Sequence, residues 1–230
     1  MIAGNRLSVV NCGICFLGLA LVIAGYLGPW ALHETTALTV TGFELAEFAK
    51  FFPQVQGGAV SITRELFYCP LVAAAILLCL LASQSTSRAM RLLAPLVAAT
   101  ALFGILLPYS VVDAARQALT ARTPFALDPR STRQISLLVA GAMLALLTPL
   151  AHRLPRRALS ILGALLALAG TALPLWQFAR LRPLIDALYA QSISLGWGPF
   201  ACAAGFALSF WGTVLVGGGA RSESNDNIAL

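Results

Sequence analysis

Residues 25–30 read Gly25-Tyr26-Leu27-Gly28-Pro29-Trp30, at the end of the chain's first long apolar run. Proline cannot donate the hydrogen bond that would reach the carbonyl four residues back, and its ring crowds that carbonyl. Glycine at that earlier position has no Cβ, so the backbone bends there most easily. Of the twelve prolines, only Pro29, Pro108 and Pro174 have glycine four residues before them, at Gly25, Gly104 and Gly170. An aromatic ring follows each, at Trp30, Tyr109 and Trp176. Amphipathic rings favour the headgroup level of a bilayer. Each stretch is therefore expected to be a helix exit, with a weak point, a kink and an interface anchor.

Composition sets the class. The 230 residues are 59% hydrophobic and only 10% charged, with a mean hydropathy of +0.84. Soluble domains carry about 45–50% apolar and about 25% charged residues. Apolar runs of about 18 residues or more mark membrane-spanning helices. Six occur: 8–30, 66–83, 92–112, 135–151, 159–178 and 195–216. The first exceeds the hydrophobic region of a signal peptide and five more follow, so it is read as a retained helix. The expected fold is all-α: a polytopic membrane protein with a bundle of six transmembrane helices and short amphipathic helices in its outer loops. One domain is expected over 1–216, with a flexible polar cytoplasmic tail at 217–230.

The net charge is +6, and fourteen of the fifteen basic residues are Arg. They flank the apolar runs and form no continuous stripe, so no nucleic-acid partner is expected. With a cytoplasmic N-terminus, seven basic residues fall on short inner segments and eight on much longer outer ones. Basic density, strongest at Arg153-Leu-Pro-Arg156-Arg157, places both termini inside. Short loops and the lack of eukaryotic targeting signals point to a bacterial inner membrane.

The exit pattern suggests three hairpin units, 8–83, 92–151 and 159–216. Glycines seven apart lie on one helix face, two turns apart. Such pairs are Gly18 with Gly25, Gly163 with Gly170, and Gly205 with Gly212. Small residues on one face let membrane helices approach closely, so these six are the expected helix-packing residues.

The first outer segment contains an amphipathic stretch from Thr41 to Phe52, ended by Pro53. Leu45, Phe48 and Phe52 share its apolar face, which makes them a candidate surface for a partner. The second outer segment begins as a helix and breaks at Thr123-Pro124 and Asp128-Pro129; the third carries Leu181, Leu184, Ile185 and Leu188 at helical spacing.

Chemistry-bearing patterns are few. No Asp, Glu, Lys or Arg lies well inside a span, which argues against an ion-coupled carrier. The two histidines, His33 and His152, fall at opposite ends of the spans and cannot share one haem within a single chain. Cys12-x-x-Cys15 has no second pair and no nearby His, so the five cysteines are read as small packing residues. No metal, cofactor or catalytic set is expected, and no H-E-x-x-H, G-x-S-x-G or P-loop motif occurs. The expected function is a non-catalytic integral membrane subunit of a larger assembly. Its partners are the lipid bilayer and other membrane subunits or a second copy of itself. The alternative is a small permease or lipid-handling protein for an uncharged or amphiphilic substrate.

Overall fold

The computed structural model describes residues 2–33, 38–85, 87–121 and 131–218. The breaks expected at Thr123-Pro124 and Asp128-Pro129, and all but the first two residues of the expected tail, lie outside these. The described chain is mostly helical. Four stretches are long and apolar enough to cross a membrane: Arg64–Ser83, Arg88–Leu106, Thr132–Arg153 and Arg157–Tyr189. The chain is accordingly a membrane protein.

The helices are α1 (Ile2–Leu27), α2 (Gly42–Phe48), α3 (Pro53–Gln56), α4 (Cys69–Ser83), α5 (Arg88–Leu106), α6 (Tyr109–Ala121), α7 (Thr132–Leu147), α8 (Arg156–Tyr189) and α9 (Gly198–Gly218). A 3-10 turn, Arg64–Tyr68, leads into α4. Position within the bundle follows from residue type. Helix α4 is apolar all round, the mark of a helix with no wet face. It packs against α1, α5, α7 and α8. Its most apolar window is 61% buried, against 22–33% for the other three spans. The others turn Leu92, Leu96, Leu144, Leu165 and Leu168 outward, a coat that suits lipid and not water.

The most extensive helix contact joins α1 to α9, the first helix to the last. Its centre is backbone against backbone. A Cβ on Gly18 would stand 2.7 Å from the Gly205 carbonyl oxygen, and one on Gly205 would stand 2.5 Å from the Gly18 oxygen. One turn-pair along, a Cβ on Gly25 would meet the Cys202 nitrogen at 2.4 Å, and one on Gly198 the Gly25 oxygen at 2.7 Å. No real Cβ approaches that closely. Ser209 adds a polar tie across the seam, its Oγ donating to the Cys15 carbonyl oxygen at 3.5 Å while the Cys15 thiol reaches the Ser209 carbonyl at 3.7 Å.

Beyond this seam the two chains continue as strands, which the sequence reading did not anticipate. Pro29–His33 forms β1, Leu38–Thr41 forms β2 and Ser194–Leu195 forms β3, in the order β2-β1-β3. Both pairings are antiparallel, with Ala31 opposite Leu195 and Leu32 opposite Ser194. Proline is tolerated as the first residue of a strand, and Thr39-Val40-Thr41 is β-branched throughout. Thr41 then caps α2: its hydroxyl accepts from the Glu44 amide at 3.3 Å, and the Glu44 carboxylate accepts from the Thr41 amide at 2.9 Å. This reciprocal pairing satisfies two backbone donors.

Two expected boundaries differ. The run 92–112 divides into α5 and α6, because Leu107 precedes Pro108 and takes extended angles (φ −64°, ψ 119°). The third Gly-Pro-aromatic stretch is no exit: α8 runs through Pro174 and Pro183 to Tyr189. An interior proline costs about 3 kcal/mol. Beyond Pro174, however, Phe178, Leu181 and Ile185 are all buried. Each apolar side chain so buried returns roughly 1.5–3 kcal/mol, enough to carry the helix onward. The far part of α8 thus packs with β1 and α2 into a cap that shares one core with the bundle; Phe178 meets Trp30 edge-on at 5.6 Å.

Gly205→Ala and Gly104→Ala separate the seam from ordinary helix propensity. The first forces α1 and α9 apart and should cost about 1–3 kcal/mol, the usual toll of overpacking. The second faces open space and should be neutral or stabilising by up to about 1 kcal/mol. Thermal unfolding in mild detergent reads both, and equal midpoints would contradict the seam.

Candidate functional site

Where the cap meets the ends of α5 and α7, the described residues enclose a cleft of about 910 Å³. That size lies within the range of small-molecule sites, roughly 300–1,000 Å³. Four segments build it. Phe43 and Glu47 of α2 and Lys50 beyond it form one wall; Ile105, Leu107 and Pro108, with Tyr109 and Ser110 at the start of α6, form the second; Ser131, Arg133 and Gln134 at the start of α7 form the third. Arg64, Glu65 and Tyr68, on the turn that enters α4, line its base.

Each wall is held by hydrogen bonds that its sequence requires. A helix leaves its last carbonyls without internal partners. At α5, buried Gln134 supplies a donor: its Nε2 bonds the Leu106 carbonyl at 2.8 Å, fastening α7 to α5. On the opposite wall the Tyr68 hydroxyl donates to Glu47 Oε1 at 3.1 Å, joining the α4 turn to α2. Lys50 pairs with the other oxygen of Glu47. Arg64 donates to Glu65 at 3.1 Å, with side chains only 15% and 10% exposed. A buried carboxylate of this kind stays charged at low cost only while paired.

The lining is therefore of two sorts. Phe43, Ile105, Leu107 and Pro108 give apolar surface, whereas Glu47, Arg64, Glu65, Arg133 and Gln134 give charge and hydrogen bonds. Apolar walls with a few converging polar groups form a binding surface. Among the described residues, no three His, Cys, Asp or Glu side chains gather as a metal site would.

The residues singled out from sequence distribute differently. Gly18, Gly25 and Gly205 lie in the α1–α9 seam; Gly170 lies against Phe206 and Ala73; Gly163 and Gly212 are buried. At the exits, Pro29 opens β1, Pro108 separates α5 from α6, and Pro174 is internal to α8. Gly104 is exposed in α5, with open space around it. Tyr109 and Trp176 are exposed, and Arg180 sits over the Trp176 ring at 5.1 Å. Trp30, expected as an interface anchor, is instead buried, because its indole Nε1 donates to the Gly25 carbonyl at 3.0 Å and closes the end of α1.

The candidate partner surface requires a like correction. Leu45 is fully buried, Phe52 nearly so and Phe48 partly, all packed into the chain's own core. The cap covers this apolar face. The cleft residues carry no distinctive sequence signal. Arg64-Glu65 and Arg133-Gln134 each stand just before an apolar run, a pattern that ordinary helix flanks share. Comparison of the chain with known protein families, with curated proteins and with solved structures found no match.

Proposed function

We propose that this is a six-span, non-catalytic membrane protein of a bacterial inner membrane that takes an amphiphile into the cleft beneath its cap. Helices α1 and α9, of 26 and 21 residues, supply the two spans beyond the four already described. Both termini lie in the cytoplasm, so the cap and cleft face outward. The observation that carries this reading is the position of the cleft. It lies at the ends of α5 and α7, where the apolar spans meet the cap, and its lining combines apolar and charged side chains. A molecule with a polar head and an apolar tail matches such a boundary.

The second reading is a subunit of a larger assembly. Burial of Leu45 and Phe52 removes the surface first considered for it, but α6 offers another. This helix makes little contact with the other described elements. Its apolar stripe leaves Val112 46% and Leu119 84% exposed, while Asp113 and Gln117 bond each other on another face.

Three measurements test these proposals. Orientation is read by cysteines introduced at exposed Gln56 and Ser87: an impermeant thiol reagent applied outside should label the first and not the second. The reverse would overturn the topology. For the cleft, a photoactivatable single-chain amphiphile in native membranes should label the segment 105–110 saturably, and Ile105→Trp should abolish that label. Labelling confined to the lipid-facing side of α8 would refute the cleft. For the subunit reading, Val112→Ser with Leu119→Ser should preserve folding and release a co-purifying membrane chain; its undiminished recovery would remove α6 as the contact.

A further inference from the structure

We infer that the cleft selects an amphiphile whose head carries net negative charge, specifically a phospholipid whose phosphate diester has no compensating ammonium. This rests on the reading of the cleft as an amphiphile site. Five charged side chains line it: Glu47, Lys50, Arg64, Glu65 and Arg133. Four of them are matched within the protein. Lys50 pairs with Glu47, which also accepts the Tyr68 hydroxyl, and Arg64 pairs with Glu65. Arg133 is exposed and has no ion pair among the described residues. Among the described residues the lining therefore carries three cations against two anions, and the surplus charge is a single guanidinium.

That imbalance decides which head enters at least cost. An ammonium group would find both carboxylates occupied. To bind, it would have to displace Lys50 or Arg64, and a displaced Arg64 would leave a buried charge unmatched. A phosphate meets Arg133 with no internal pair broken. Guanidinium presents paired N–H donors that match phosphate oxygens. Tyr109 and Ser110 line the same cleft and carry hydroxyl donors. The tail has its own path: Ile105 lines the cleft and, like Phe103, is exposed along α5 toward the lipid-facing coat.

The test is native mass spectrometry of the full-length protein extracted from bilayers of equimolar phosphatidylglycerol and phosphatidylethanolamine. Wild type should retain phosphatidylglycerol in preference by about fivefold, the factor expected from one basic side chain near a membrane surface. Arg133→Gln should retain lipid with no preference, and Arg133→Lys should restore most of it. Preference for phosphatidylethanolamine, or a preference unchanged in Arg133→Gln, would overturn the inference while leaving amphiphile binding intact. If wild type retained no more lipid than Ile105→Trp, the amphiphile reading itself would fail. An inorganic phosphate arm separates the sources. Displacement of lipid by millimolar phosphate would assign Arg133 to a free anion and overturn the lipid assignment; retention of lipid in its presence supports it.

Discussion

At Gly18, Gly25, Gly198 and Gly205 the backbones of α1 and α9 come so close that no side chain fits between them. Inside a bilayer the solvent is as apolar as leucine, so hydrophobicity cannot press two helices together. Close packing and polar ties must do it. The seam supplies both and joins the two ends of the described chain. Because α1 leads directly into β1 and β3 directly into α9, helix contact below sets strand pairing above. The ladder Ala31–Leu195 and Leu32–Ser194 continues the helix pair in another hydrogen-bonding form. With β1 fixed, Trp30 closes the end of α1 and presents an edge to Phe178.

The cap follows from that placement. Trp30, Leu45, Phe52, Phe178, Leu181 and Ile185 bury one another at the end of the bundle. Their burial offsets the interior prolines of α8 and draws the helix beyond the length a membrane needs. The cleft is the space left where this cap passes over α5 and α7, whose ends Gln134 ties together. Among the described residues its charge balance is then a matter of local pairing: two carboxylates satisfied, one guanidinium in excess. Seam, cap and cleft form one chain of dependence, from backbone approach to the charge of the cleft lining.

Sequence legibility ended where interactions became distant along the chain. The apolar runs announced membrane helices, since length and composition are local properties. Gly18 and Gly25 announced a close helix face through their spacing, but not that α9 would meet it. The apolar face of α2 was visible as Leu45, Phe48 and Phe52, yet nothing local said that the cap would cover it. Strand β3 is two residues long, too short to carry any periodicity. Pro174 resembled Pro29 and Pro108 in its local sequence and differed only through what Leu181 and Ile185 find beyond it. The Tyr68–Glu47 and Gln134–Leu106 bonds span 21 and 28 residues, and no single segment reveals either partner.

The seam can be tested directly by a thiol bridge between its two helices. Cys15 and Ser209 already approach each other through sulfur, hydroxyl and backbone. In a chain carrying Ser209→Cys, with every cysteine except Cys15 replaced by alanine, mild oxidation or a short bifunctional thiol reagent in the native membrane should link α1 to α9. After cleavage at a protease site placed between α4 and α5, the two fragments should remain joined until reduction. Fragments that separate without reduction, or a bridge formed only between two chains, would contradict the packing on which the cap and the cleft depend.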